Sequence, residues 1–289
     1  MVPQTDDLIQ PFHLEGREVR GRLIRLGSVA HAILTRHDLP PAAAALLGEA
    51  LALTAMVGSA LKYEGIFTLQ AQGDGPARVM VADYRNGGDL RGYVRLTDGA
   101  ETGTAGSLLG RGILALTIDR EQDSQRYQGT VELLGDDLST CAEHYFSQSD
   151  QVPSLFRLVA GRGPDGQWRV GGLMLQSLPK DPDADKAAED WRTAEMLAAT
   201  VKPQEMLDPS LPATELLYRL FHEDGVWLHD PVPMHDRCTC SAERVQSVIE
   251  SFPTDQISDL DDGNGNVIVD CEFCGRHYNL PMESVLGGS

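Results

Sequence analysis

Hydrophobic positions along this chain follow two different periods in turn. Over 41–61, apolar residues recur at three- and four-residue spacing: Leu46, Leu47, Ala50, Leu51, Leu53, Val57 and Leu61. That is the period of a helix. Pro40 and Pro41 stand at its start, where proline is tolerated because first-turn N–H groups have no intrahelical acceptor. The stretch is apolar over much of its circumference, so it is expected to be buried in an N-terminal domain. Around it the pattern is strand-like. Segments 19–26, 66–70, 77–82, 90–96, 112–118 and 127–134 alternate at least in part, and Gly-Asp-Gly-Pro at 73–76 and Asn-Gly-Gly-Asp at 86–89 read as turns between them. A helix over 140–147 and strands over 152–159 and 168–178 complete an expected α+β domain of antiparallel sheets and helices spanning 1–178.

Beyond 178 the pattern changes. The stretch 179–186 holds two prolines, mixed charge and no apolar run. Ala187, Ala188, Trp191, Ala194, Leu197, Ala198 and Val201 then recur at helical spacing up to Pro203. A second amphipathic helix, with Thr214 as its expected N-cap, carries Leu216, Leu217, Leu220 and Phe221 and stops at Gly225. Segment 179–231 therefore reads as an amphipathic helical linker. Helices this short are marginal alone in water, so each needs a partner surface. Permanent packing on the N-terminal domain and conditional packing both satisfy that need. In 232–289, Val245, Val248, Ile249 and Phe252 form one helical face. A short helical turn over 255–260, a strand over 266–270 and a return strand over 278–280 are expected after it.

Charge excludes one class of partner. The chain has 289 residues, with 24 Lys plus Arg against 43 Asp plus Glu and a net charge of −19. Phosphate-backbone binding needs clustered Lys and Arg. The C-terminal region offers Arg237, Arg244 and Arg276 against ten acidic residues, so no nucleic-acid partner is expected. The first residues carry no basic and apolar run of the signal-peptide kind. The unbroken apolar run after Glu49 is short for a membrane span, so a cytoplasmic location without a membrane partner is expected.

Several motif-like strings carry no chemistry. Gly110-Arg-Gly-Ile-Leu-Ala115 matches a dinucleotide fingerprint by letters, but residues 115–118 read as strand where a helix is required. Asp262-Gly-Asn-Gly-Asn266 resembles the start of a calcium loop, yet Val267 and Phe273 occupy the positions that need Gly and Glu. Cys141 stands alone in its expected helix as a buried thiol. No catalytic residue is identified, and an enzyme is not expected.

The remaining four cysteines form two pairs, Cys238-Thr-Cys240 and Cys271-Glu-Phe-Cys274, thirty residues apart. Two close pairs joined by a longer excursion is how a chain supplies four ligands to a tetrahedral zinc ion. Gly275 lets the second pair turn back beneath the metal. His235 and His277 lie near enough in sequence to serve as substitute ligands. Three readings fit the spacing: a disulfide framework, a structural zinc site, and a zinc site whose vicinal thiols also act as a redox switch.

The chain resembles a known family, heat-shock protein 33, the redox-regulated bacterial holdase chaperones. The resemblance runs over essentially the whole length. Cys238-Thr-Cys-Ser-Ala-Glu-Arg244 and Cys271-Glu-Phe-Cys-Gly-Arg-His-Tyr278 carry it most strongly. Tyr127-Gln-Gly129, Tyr145-Phe-Ser-Gln-Ser-Asp-Gln-Val-Pro153, Gly171-Gly-Leu-Met-Leu-Gln-Ser-Leu-Pro179 and Phe221-His-Glu-Asp224 support it. The resemblance implies an N-terminal α+β domain (1–178), a helical linker (179–231) and a C-terminal zinc-binding redox-switch domain (232–289). It implies Zn2+ held by Cys238, Cys240, Cys271 and Cys274 in the reduced state. It also implies that oxidation pairs Cys238 with Cys240 and Cys271 with Cys274, releases zinc, and unfolds zinc domain and linker together. The exposed surface then binds unfolding client polypeptides without ATP, and the oxidised protein forms a homodimer. Trp191, Leu197, Leu216, Leu217 and Phe221 are the candidate client-binding residues. A thiol–disulfide oxidoreductase using Cys271 and Cys274, or a constitutive zinc-binding adaptor, is the alternative. The first lacks the expected βαβ context for its CxxC.

Overall fold

A computed structural model of the chain describes residues 6–97, 105–120, 126–134, 137–178, 184–253, 256–257 and 259–286. The chain forms two compact units, Met1–Asp236 and Arg237–Ser289. In order, the first unit contains β1 (Leu8–Leu14), β2 (Val19–Leu26), α1 (Ser28–Thr35), α2 (Pro41–Ala60), β3 (Gly65–Gly73), β4 (Ala77–Arg85) and β5 (Asp89–Leu96). Next come α3 (Ala105–Leu109), β6 (Arg111–Arg120), β7 (Arg126–Leu134), α4 (Leu138–Tyr145), a π-helical turn (Phe146–Asp150), β8 (Ser154–Arg162) and β9 (Trp168–Ser177). The last part holds α5 (Ala184–Ala198), α6 (Pro203–Leu207), α7 (Ala213–Phe221), β10 (Val226–Leu228), β11 (Val232–Pro233) and β12 (His235–Asp236). One sheet runs β10-β1-β2-β9-β8, with β11 also paired to β1; the other runs β12-β5-β4-β3-β6-β7. The expected α+β class is the one observed.

The all-round apolar character of α2 now has its cause. The helix contacts both sheets: its core takes Ile24, Phe156 and Met174 from the first and Phe67, Leu69 and Met80 from the second. It is long and apolar enough by composition to cross a membrane, but 78% of its most hydrophobic window is buried inside the protein. Such burial is what a core helix requires.

The first sheet has a second apolar face. Phe12, Leu14, Val19, Leu23, Leu173 and Leu175 there meet Ala194, Ala198, Met206, Leu216, Leu217 and Phe221 from α5, α6 and α7. The Phe12 and Phe221 rings stack with centroids 5.7 Å apart. Gly21 makes room for that stack, because a Cβ there would lie 2.2 Å from Phe12 Cζ. Two arginines fasten the helical layer. Arg17 pairs with Asp190 of α5 at 3.0 Å and with Asp224 beyond α7 at 2.7 Å. Arg25, 1% exposed, donates to the Asp208 and Leu211 carbonyls between α6 and α7.

Several expectations shift. Helix α1 has no signal in local sequence, because its cap comes from far away. Asp7 accepts from Gly27 N at 2.8 Å and Val29 N at 3.0 Å, and Ser28 Oγ donates to it at 2.5 Å. Thr214 is not the N-cap of α7; the helix starts at Ala213 behind Pro212, with no side-chain cap. The expected 140–147 helix begins earlier, where Asp137 accepts from Thr140 N at 2.9 Å, and gives way to the π-helical turn. Residues 111–120 after Gly110 form strand β6, as dismissal of the dinucleotide motif requires. The helical segment is part of the first unit and packs on its first sheet. Residues 232–236, expected to belong with the cysteine region, pair there too: β11 with β1, and β12 with β5 in parallel. Of the expected boundary at 179–186, residues 179–183 lie outside the described residues.

Candidate metal centre

The second unit is built from α8 (Ala242–Glu250), β13 (Asn266–Asp270), β14 (His277–Pro281) and α9 (Met282–Leu286). Strands β13 and β14 form an antiparallel hairpin. Of the expected turn at 255–260, Gln256 and Ile257 are helical, and Asp255 and Ser258 lie outside the described residues. The buried apolar cluster is small: Ile249, Ile257, Val267, Leu280 and Val285. Only Ile249 of the expected helical face is fully buried; Val248 and Phe252 are exposed.

Local chemistry brings the cysteines together. Ser241 caps α8, its Oγ accepting from Arg244 N at 3.3 Å, while Arg244 Nη1 donates to Thr239 O at 2.8 Å. That fixes Cys238 and Cys240 just ahead of the helix. Cys271 follows β13 directly. Gly275 N donates to Cys271 O at 2.8 Å, and Cys271 N donates to Arg276 O at 2.9 Å, closing the turn that carries Cys274. Gly275 has φ 66°, the left-handed conformation that glycine adopts without steric cost.

The Sγ atoms of Cys238, Cys240, Cys271 and Cys274 all lie within 4.8 Å of one another. Two contacts cross between the pairs: Cys238 to Cys271 at 3.8 Å and Cys240 to Cys274 at 3.3 Å. A tetrahedral ion with ~2.3 Å bonds to sulfur sets its ligands about 3.8 Å apart. The donor set and its dimensions therefore fit a metal ion. No cysteine among the described residues is in a disulfide. Burial pushes the Cys274 thiol up to about 12 and raises that of Cys271. Burial also opposes ionisation of Cys240, yet the Tyr278 hydroxyl and the surrounding thiols bring it down to about 7. One thiolate thus forms readily, and further negative charge in the cluster calls for a cation.

Neither histidine considered from sequence joins this set. His277 Nδ1 is 2.7 Å from Asp270 Oδ1 at an exposed position, and His235 lies in β12 of the first unit. Cys141 is buried in α4. From sequence Tyr278 marked only the return strand and part of the family resemblance; its place near Cys240 arises once the hairpin forms.

The structure gathers the five candidate client-binding residues into one layer but hides them. Leu216, Leu217 and Phe221 are buried, and Trp191 and Leu197 pack half-buried against the same cluster. The large apolar side chains that α5 and α7 expose are instead Met196 and Tyr218.

Known proteins share this sequence and fold. The sequence model of one family, described as Hsp33 protein, matches residues 7–281. A protein named 33 kDa chaperonin from Caulobacter vibrioides is 41% identical over 294 residues, covering 97% of each chain. Proteins of the same name from Edwardsiella ictaluri and Serratia proteamaculans are 38% and 35% identical, covering 96% and 94% of this chain and 92% and 91% of their own. The crystal structure of the 33 kDa chaperonin from Thermotoga maritima superposes with a TM-score of 0.81 at 22% identity, over 97% of each chain, and so shares the fold. With these matches over nearly its full length, the chain belongs to the Hsp33 family of chaperones.

Proposed function

We propose that this protein is a redox-regulated, ATP-independent holdase that binds unfolding polypeptides and prevents their aggregation. The observation that carries the reading is the convergence of four thiols within 4.8 Å on a unit whose buried apolar cluster, among the described residues, is only Ile249, Ile257, Val267, Leu280 and Val285. A core that small supplies little stability, so folding of this unit rests on its ligand. In the reduced state Cys238, Cys240, Cys271 and Cys274 hold Zn2+. Bound zinc supplies folding free energy, ~10–16 kcal/mol apparent in peptide sites near neutral pH. A domain of this size holds only roughly 3–8 kcal/mol in total.

Each pair of thiolates gives two electrons to hydrogen peroxide, which takes up two protons from solvent, so a disulfide and two waters result. Cys238 pairs with Cys240 and Cys271 with Cys274, as the family resemblance implies. Sulfurs in disulfides no longer offer thiolates, so the cysteines release the ion. The new rings close only a few residues and restrict the unfolded chain little. The second unit then unfolds. The helical segment follows and uncovers the apolar face formed by Trp191, Leu197, Leu216, Leu217 and Phe221 together with the sheet beneath. Client polypeptides bind that surface, and the oxidised chains dimerise. The net charge of −19 disfavours nucleic acid as a client.

The test is suppression of client aggregation with and without peroxide, with released zinc counted in the same sample. Activity that appears with peroxide, alongside about one zinc released per chain, is expected. Equal activity in the reduced, zinc-loaded protein would favour a constitutive adaptor, and peroxide-dependent release without aggregation suppression would sink the holdase reading.

A further inference from the structure

Outside the cysteine cluster, the first unit places two imidazoles in contact. His13 Nδ1 and His229 Nε2 are 3.0 Å apart, with ring centroids 5.1 Å apart. The residues are 216 positions apart in sequence. The backbone that carries them is fixed on both sides. His13 lies in β1, paired with Trp227 of β10. His229 N donates to Pro11 O at 3.0 Å, and Gln10 Nε2 donates to His229 O at 2.6 Å and to Pro11 O at 3.0 Å. The pair sits at the surface, open to solvent. The indole of Trp227, itself 58% exposed, lies 6.2 Å from His13.

From this geometry we infer that His13 and His229 form a second, two-imidazole binding site for a borderline divalent transition-metal ion such as Zn2+ or Ni2+, independent of the cysteine centre. Two bonds of ~2.0–2.1 Å from imidazole nitrogens to a tetrahedral ion set the nitrogens about 3.3 Å apart, a few tenths of an ångström from the separation observed. Imidazole is a suitable ligand for these ions, whereas magnesium and calcium take oxygen donors. Without metal, one ring donates its N–H to the other. Binding shifts that proton to the remaining nitrogen of the same ring, and a small rotation of each ring turns both lone pairs onto the ion. No net proton is lost. Solvent water completes the coordination. Because the ligands come from β1 and from the residue after β10, the ion ties the end of the helical segment to the sheet it covers.

Calorimetric titration with Zn2+ of reduced protein already carrying one zinc per chain tests the inference. One further equivalent is expected, weaker than the first, and lost in both His13→Gln and His229→Gln. Both variants keep the first zinc. Amides of Val226–Leu228 are expected to exchange more slowly in wild type once the second equivalent is bound. Absence of a second equivalent at millimolar Zn2+, its persistence in either variant, or unchanged exchange of those amides overturns the proposal.

Discussion

Phe221→Ala tests whether the helical layer opens as a unit of its own. Phe221 is fully buried and stacks on Phe12 at 5.7 Å. Truncating a buried phenylalanine costs ~3–5 kcal/mol through lost transfer energy and the cavity left behind. At a factor of ten per ~1.4 kcal/mol, opening becomes roughly 100- to 4000-fold more frequent. Two outcomes are then distinct. If the layer opens locally, amide exchange in the reduced, zinc-loaded protein rises by that factor across 184–221 and stays unchanged in α2. If the first unit opens only as a whole, exchange rises everywhere and the melting temperature falls, by ~2–4 °C for each kcal/mol in a unit of this size. The local outcome is expected, because α5 to α7 contribute to a separate apolar cluster on the far face of the first sheet. Hydrogen exchange read by mass spectrometry measures both regions in one experiment. Uniform acceleration would refute the separable layer. Fast exchange confined to 184–221, without aggregation suppression before peroxide, would refute its role in client binding.

Gly21→Ala should act in the same direction. The new Cβ meets Phe12 Cζ at 2.2 Å and Leu175 Cδ2 at 2.9 Å, and overpacking of that kind costs ~1–3 kcal/mol; unchanged exchange across 184–221 would count against it. Cys141→Ser should leave zinc stoichiometry and the peroxide response intact, since Cys141 is buried in α4 outside the cluster. Zinc analysis before and after peroxide checks this. Burial first, and Asp137 second, pushes the Glu49 carboxyl up to about 7, against ~4.3 when unfolded. The folded state thus prefers the protonated carboxyl. That advantage is complete below about pH 4.3 and is lost as the pH rises through about 7. Glu49→Gln should therefore match wild type near pH 4 and exceed it at pH 8 by on the order of 3–4 kcal/mol; equal urea midpoints at pH 8 would disprove the assignment.

The sequence by itself determined whatever depends on neighbours a few residues apart. The three- and four-residue period of α2, the alternation and turns of β3 to β5, and the Cys238/Cys240 and Cys271/Cys274 spacing were all legible. Each is a local signal: side-chain direction repeats with the backbone period, and a two-pair ligand set fits within one small unit. Tertiary structure decided what depends on residues far apart in the chain. Helix α1 could not be read because Asp7 caps it from just ahead of β1, twenty residues away. The short strands at 232–236 show no period of their own and exist only through pairing with β1 and β5. Thr214 looked like a cap because hydroxyls favour that position, yet the cap position falls on Pro212, two residues earlier. Spacing also marked Val248 and Phe252 as core, but the small second unit has too little surface to bury them. The hold of Arg17 and Arg25 on the helical layer, and the meeting of His13 with His229, come from a chain path that brings β10 back to β1. No local pattern encodes that path, because its energy comes from burying the far face of the first sheet.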